Sequence, residues 1–226
     1  DMRGGQASVT PRSGARSFVA LDQPTIVPNA TGSRPVDKIA AALISWIGGG
    51  VQPANRSKRG MFDDDAPVWA FKAALGAIED PEGARTARTG MFIAEVFPAL
   101  ALPSLAVQFC GRLLGPKYNP GRRKTFRLDD WHTVLTCTAA AGLSLQIARL
   151  AEWCEDHRVA AAPNKADQDL LDGVLCALVG FIWLFEPRSR SLMIGDLETG
   201  YMITPAEGAA RTRLQSAAQI RDVPCR

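Results

Sequence analysis

Among 226 residues there are only two histidines, His132 and His157, and no two cysteines are spaced as CxxC. The five cysteines (Cys110, Cys137, Cys154, Cys176 and Cys225) are scattered and odd in number. That argues against a disulfide framework, a structural zinc site and a His-rich metal centre. The chain does not open on a charged segment followed by an apolar one, so nothing suggests secretion, and a cytoplasmic protein with no membrane partner is expected. Its longest apolar run, Val174 to Phe185, is too short to cross about 30 Å of hydrocarbon and reads as a buried helix. A marked excess of one sign of charge is also lacking. A net charge of +3 names no partner unless it is locally concentrated. The glycines of "GGGVQPANRSKRG" precede no Gly-Lys-Ser/Thr after a strand, which removes a phosphate loop. "AGLSLQ" has Gln146 where a nucleophile elbow needs its second glycine.

What is present alternates apolar runs with helical periodicity. Phe18 to Leu21 reads as a buried strand stopped by Pro24, and Met91 to Phe97 as a second strand closed by Pro98. Residues 34–50 predict a helix, with Pro35 in its first turn, Val36, Ile39, Leu43 and Ile47 on one stripe, and glycines at its end. A second helix is expected over 66–78, a long one over 128–156, another over 165–185, and a hairpin over 189–205. Such alternation specifies an α/β domain. With no internal repeat or linker between residues 18 and 205, a single domain is expected there. Residues 1–17, rich in Gly, Ser and Arg, read as a flexible or truncated segment, and residues 206–226 as a tail or short helix.

The stretch "KADQDLLDGVLCALVGFIWLF" sets three carboxylates at the mouth of an apolar helix. At 100° per residue, Asp169, Asp172, Cys176, Gly180 and Trp183 share one stripe. Asp167 suits an N-cap and Asp169 the first turn, where each would satisfy free N–H groups. Asp172 lies beyond that turn, so its carboxylate needs a partner or a cation to offset burial. Asp22 ends one strand candidate and Glu95 is embedded in the other. Carboxylates gathered at strand ends of an α/β sheet repel one another unless protonated or bound to a cation, and an oxygen-only set suits Mg²⁺ or Mn²⁺. Cys176, in an apolar helix beside these acids, reads as a packed thiol.

"FVALDQP", "FIAEVFPALALP", "PKYNPGRRKTFRLDDW" and "KADQDLLDGVLCALVG" occur in an order that resembles the ribonuclease-H-like nucleases predicted for domain of unknown function 429. Leu21, Asp22 and Pro24 match an "ID-x-P" element, and Glu95 and Pro98 an "E-x-x-P" strand. Asp169, Leu171, Asp172, Cys176 and Ala177 match "D-x-L-D-A-x-x-C-A", with Gly173 in place of the alanine. The resemblance implies a ribonuclease-H-like mixed central sheet with helices on both faces. It also implies a metal-dependent nuclease hydrolysing phosphodiester bonds, with Asp22 and Asp172 as ligands of Mg²⁺ or Mn²⁺, and Asp169 and Glu95 as further catalytic candidates. The family's opening "G-[IV]-D-G" element has no counterpart in residues 1–17. Either N-terminal strands are missing or this form has lost its first acid. In the second case the fold would serve as a catalytically silent nucleic-acid-binding or scaffold protein.

Arg112, Lys117, Arg122, Arg123, Lys124 and Arg127 crowd one segment, interleaved with Tyr118 and Phe126 and without an acid until Asp129. Such a cluster neutralises phosphates, and its aromatics offer stacking faces. Lys117, Arg122, Arg123, Lys124 and Arg127 are therefore the expected contacts to DNA or RNA. A solvated basic loop is the plain alternative.

Overall fold

Two pairs of short strands, sandwiched between helices, carry the architecture. The structure is a computed structural model that describes residues 15–159 and 162–226. The proposed N-terminal segment lies, up to residue 14, outside the described residues. Strand β1 (Arg16–Leu21) leads through α1 (Pro35–Ile44), α2 (Pro67–Leu75) and α3 (Pro81–Thr86) into β2 (Gly90–Glu95). β1 and β2 pair in parallel, Phe18 facing Phe92 and Leu21 facing Glu95. After α4 (Pro98–Leu105), α5 (Leu128–Ser144), α6 (Leu150–Arg158) and α7 (Lys165–Phe185) comes the expected hairpin, β3 (Ser191–Asp196) with β4 (Gly200–Pro205). A parallel bridge between Val96 and Ile203 joins the two pairs, giving the order β1–β2–β4–β3. The end of the chain extends the outer edge, where Met193 and Arg226 exchange backbone hydrogen bonds of 2.7 and 3.1 Å. Residues 206–226 thus hold a helix, α8 (Gly208–Ile220), rather than a loose tail.

Side chains of a strand alternate between faces, and here both faces are covered. Leu192, Ile194 and Met202 pack against Val36, Ile39 and Leu43 of α1 and Leu214 and Ala218 of α8. Met193, Tyr201 and Ile203 point the other way, with Ala94 and Val96, onto Cys176, Val179 and Trp183 of α7. Trp183 is wholly buried, and its indole N–H donates to the Pro81 carbonyl at 2.7 Å. α7 is long and apolar enough to cross a membrane by length and composition alone, yet half of its most apolar window is buried. Its apolar stripe is used in covering the sheet.

The long helix expected over 128–156 is instead two helices folded back on each other. The chain reverses through Gln146 (φ 54°) and Arg149 (φ 63°), both in the left-handed region. Gly142 permits the close approach, because a Cβ there would lie 2.8 Å from Leu150 Cδ2. Neither turn residue is a glycine, so the sequence carries no breaker at the point of reversal. The N-cap of α7 also differs from expectation. Asn164 caps it, its Oδ1 accepting from the Ala166 N–H at 2.7 Å, while Asp167 sits at N3 and accepts from the Asn164 N–H at 2.8 Å.

Candidate functional site

The helical stripe of α7 and the pleat of β1 bring two acids to one place. Four helical residues rise about 6 Å, and two strand residues about 6.6 Å. Asp172, Cys176 and Gly180 therefore keep step with Asp22, Ala20 and Phe18 when helix and strand run oppositely. Gly180 makes the alignment close, since a Cβ there would meet Phe18 at 3.2 Å and Ala20 at 3.3 Å. The Cys176 thiol is pushed up first by burial and then by the charges of Asp22 and Asp172. It is a packed, protonated thiol flanked by both acids.

Asp22 and Asp172 open into a cavity of about 730 Å³ at the carboxyl ends of β1 and β2, between the glycines that follow α1 and the first turns of α7. Ligands of open α/β sheets bind outside the carboxyl ends of the strands. Asp169, Lys165, Gln168, Lys117, Tyr118 and Arg122 also line it. Arg123, Lys124 and Arg127 do not, and stay exposed on the same segment.

Burial, and next the neighbouring charge of Asp172, push the Asp22 carboxyl up to about 7; Lys165 pulls the other way. Asp22 is nonetheless exposed by surface area. The carboxyl lies in a concavity, reached by water from the mouth and walled by protein elsewhere, so water moderates the effect of burial without reversing its direction. Asp172 is likewise raised by burial, against the pull of two donors. The buried Tyr118 hydroxyl donates to its Oδ1 at 2.7 Å and Gln168 Nε2 donates to Oδ2 at 2.8 Å. Tyr118 itself is held well above its ordinary value by burial and then by Asp172, so it remains a donor. Asp169 is exposed and paired with Lys165, one turn away on α7.

Glu95 sits apart from the main cavity for a reason of pleat. It faces Leu21 in register, so its side chain falls on the α1 side of the sheet while Asp22, one residue on, falls on the α7 side. There Arg34, fully buried, donates to Glu95 Oε1 at 2.6 Å and to Oε2 at 2.8 Å, and to Asp37 Oδ1 at 2.8 Å. The Thr25 N–H adds a further bond to Glu95 at 3.0 Å. Burial raises the Glu95 carboxyl and Arg34 opposes it, while the two carboxylates hold Arg34 charged against its own burial. The two-pronged contact at these distances supports the ionised pair.

Tyr118 and Gln168 are site residues that the sequence reading did not single out as such. Tyr118 was expected only as a stacking face. Gln168 stands four residues before Asp172, a spacing that puts both on one helix face. With its nitrogen committed to Asp172, Gln168 Oε1 is left buried without a partner among the described residues. The orphan oxygen costs about 1–3 kcal/mol, comparable to the bond its amide makes to the charged acid. Gln168→Met should therefore change the urea midpoint little, within about 1 kcal/mol. It should also let the Asp172 carboxyl titrate higher by carbon NMR, because the Gln168 amide no longer favours the ionised form. A loss beyond about 3 kcal/mol would show that Oε1 has a partner after all.

Among the described residues no three His, Cys, Asp or Glu side chains group as metal ligands. The donor set of Asp22 and Asp172 therefore fits a largely hydrated Mg²⁺ or Mn²⁺, which is ordinarily held by one or two carboxylates, and fits no all-protein cage. Fold and cavity together define an α/β protein with paired acids and flanking cations at the carboxyl ends of parallel strands. Residues 6–192 match the family described as "Protein of unknown function (DUF429)", and the chain belongs to that family. No curated protein and no solved structure matches it.

Proposed function

We propose that the protein is a divalent-metal-dependent hydrolase of nucleic-acid phosphodiesters. The observation that carries the proposal is the opening of Asp22 and Asp172 into one cavity whose wall also presents Lys117 and Arg122. The mixed strand order with helices on both faces is compatible with a ribonuclease-H-like arrangement. Asp22 and Asp172 would hold Mg²⁺ or Mn²⁺, which when bound polarises a phosphoryl oxygen and acidifies water. Tyr118 and Gln168 fix the Asp172 carboxylate. Lys117, anchored by a 2.6 Å bond to the Gly48 carbonyl, and Arg122 would take the phosphate oxygens. Lys165 occupies Asp169, which leaves Asp169 as a member of the cavity's rim. Arg123, Lys124 and Arg127 would hold more distant phosphates of a DNA or RNA strand.

The sign of the pH dependence tests the metal. A carboxyl whose folded value is raised contributes stability below its unfolded value, near 4, and loses it as pH rises through its folded value. For Asp22 that loss accrues from about pH 4 upward and is complete just past 7. Without divalent ions Asp22 should cost the protein stability as pH rises from about 4 to about 7, with little further change by pH 8. Mn²⁺ should restore it, with a melting temperature about 2–4 °C higher at pH 8 per ~1 kcal/mol of linkage and a smaller rise at pH 6. Scanning calorimetry with and without Mn²⁺, on wild type and Asp22→Asn, reads it directly. Equal responses in the two proteins would remove the metal from this pair of acids. The catalytically silent reading rests on the absence of a third convergent acid among the described residues. It predicts salt-sensitive nucleic-acid binding that is indifferent to Mn²⁺ and survives Asp172→Asn.

A further inference from the structure

A second, smaller cavity of about 200 Å³ adjoins the first, and the two share Asp22, Gln23, Gly50 and Phe97 as walls. We propose that it is a base subsite, taking one unpaired nucleobase of a nucleotide whose phosphate lies between the acids and Lys117. The proposal rests on the phosphodiester reading above and adds to it the form of the substrate.

Three features select an uncharged planar ring. The first is size, since a cavity of about 150 Å³ already accepts a benzene ring. The second is the chemistry of the walls. Phe62, Phe97 and Val51 give apolar surface for stacking, while Gln23 and Gln52 are exposed amides with no hydrogen bond among the described residues. Amides of this kind pair with the edges of bases, and aromatic faces stack on them regardless of sequence. The third is the floor. Arg34 directs its Nε and both terminal nitrogens to Asp37, Glu95 and the Ile26 carbonyl, and Glu95 has both oxygens bonded. The floor is thus charged yet spent, offering nothing to a second phosphate or a carboxylate. A base held here would have left its stack, so the substrate presents a single-stranded or displaced nucleotide.

Gly50 supplies the test, because a Cβ at this position would meet no atom within 4 Å. Gly50→Leu therefore places a bulky side chain on a wall that the two cavities share, at a position with room for its Cβ. Calorimetric titration in the presence of Mg²⁺ would compare uridine 5′-monophosphate with ribose 5-phosphate. In the wild type the nucleotide should bind about tenfold more tightly, the range of one stacked base. Gly50→Leu should bring the two ligands within about twofold of each other while ribose 5-phosphate binds as before, and Gln52→Ala should fall between. Equal affinities in the wild type, or a preference that Gly50→Leu leaves intact, would overturn the subsite. If ribose 5-phosphate still binds and Lys117→Met weakens it, that failure is confined to the base. If neither ligand binds, the subsite falls together with the phosphodiester reading.

Discussion

Arg34→Ala is expected to leave the chain largely unfolded at physiological temperature. Among the described residues the guanidinium is the one cation paired with Asp37 and Glu95, in a pocket where all three side chains are at most 3% exposed. Removing one member of a buried ion pair strands its partners without water, at a cost of about 3–5 kcal/mol. Here two carboxylates would be stranded, against a total stability that is typically about 5–15 kcal/mol. Asp37 also accepts from the Arg34 and Ala54 N–H groups, so the loss would loosen both the start of α1 and the loop at Ala54. Urea unfolding followed by circular dichroism gives the result, and a midpoint near that of wild type would show that the network does not hold the sheet to α1. Glu95→Gln extends the test to the acid that the sequence placed among the catalytic candidates. It keeps the shape, removes the charge, and should lower stability while leaving the Mn²⁺ response of the Asp22–Asp172 pair in place.

The contrast between Glu95 and Asp172 shows how far the sequence could be read. The stripe of Asp172, Cys176, Gly180 and Trp183 follows from helical period alone, and the structure lays it along β1. The strands, the Pro35 start of α1 and the 189–205 hairpin were equally legible, because period and proline geometry are local properties. Which face of the sheet Glu95 takes depends on its register with Leu21, a relation between segments far apart in sequence. The same holds for the basic segment. Its charge is plain in the sequence, but the path of the loop decides which cations reach the acids. The Arg127 N–H donates to the Lys117 carbonyl at 2.8 Å, closing the loop at its base so that Lys117 and Arg122 face the cavity and Arg123 and Lys124 face water. The α5–α6 reversal was hidden for another reason, since Gln146 and Arg149 are exposed and left-handed without being glycine. The turn rests on the approach of Leu150 to Gly142 and on the Ile147 N–H bonded to the Gly142 carbonyl at 2.8 Å.

On the hydrolase reading proposed above, Asp172→Asn should abolish Mg²⁺- or Mn²⁺-dependent cleavage while leaving the fold intact or more stable. The substitution is nearly isosteric and removes one of two like charges in the cavity, so the Asp22 carboxyl should move back down from about 7. Relief of that repulsion, screened by water at the mouth of the cavity, is worth up to about 1 kcal/mol of stability, or up to about 2–4 °C in melting temperature. The chemical loss is far larger. A bound divalent ion contributes several kcal/mol of charge stabilisation at a phosphoryl group, and each 1.36 kcal/mol is tenfold in rate, so a fall of at least ~10³-fold is expected. The measurement is cleavage of single-stranded and duplex DNA and RNA with Mn²⁺, run beside a thermal scan of the same preparations. Opposite movements of rate and stability are what a pair of acids kept for a cation requires, since a merely structural carboxylate would carry both down together. An Asn variant that still cleaves would release Asp172 from the metal and return it to the ordinary polar lining of the cavity.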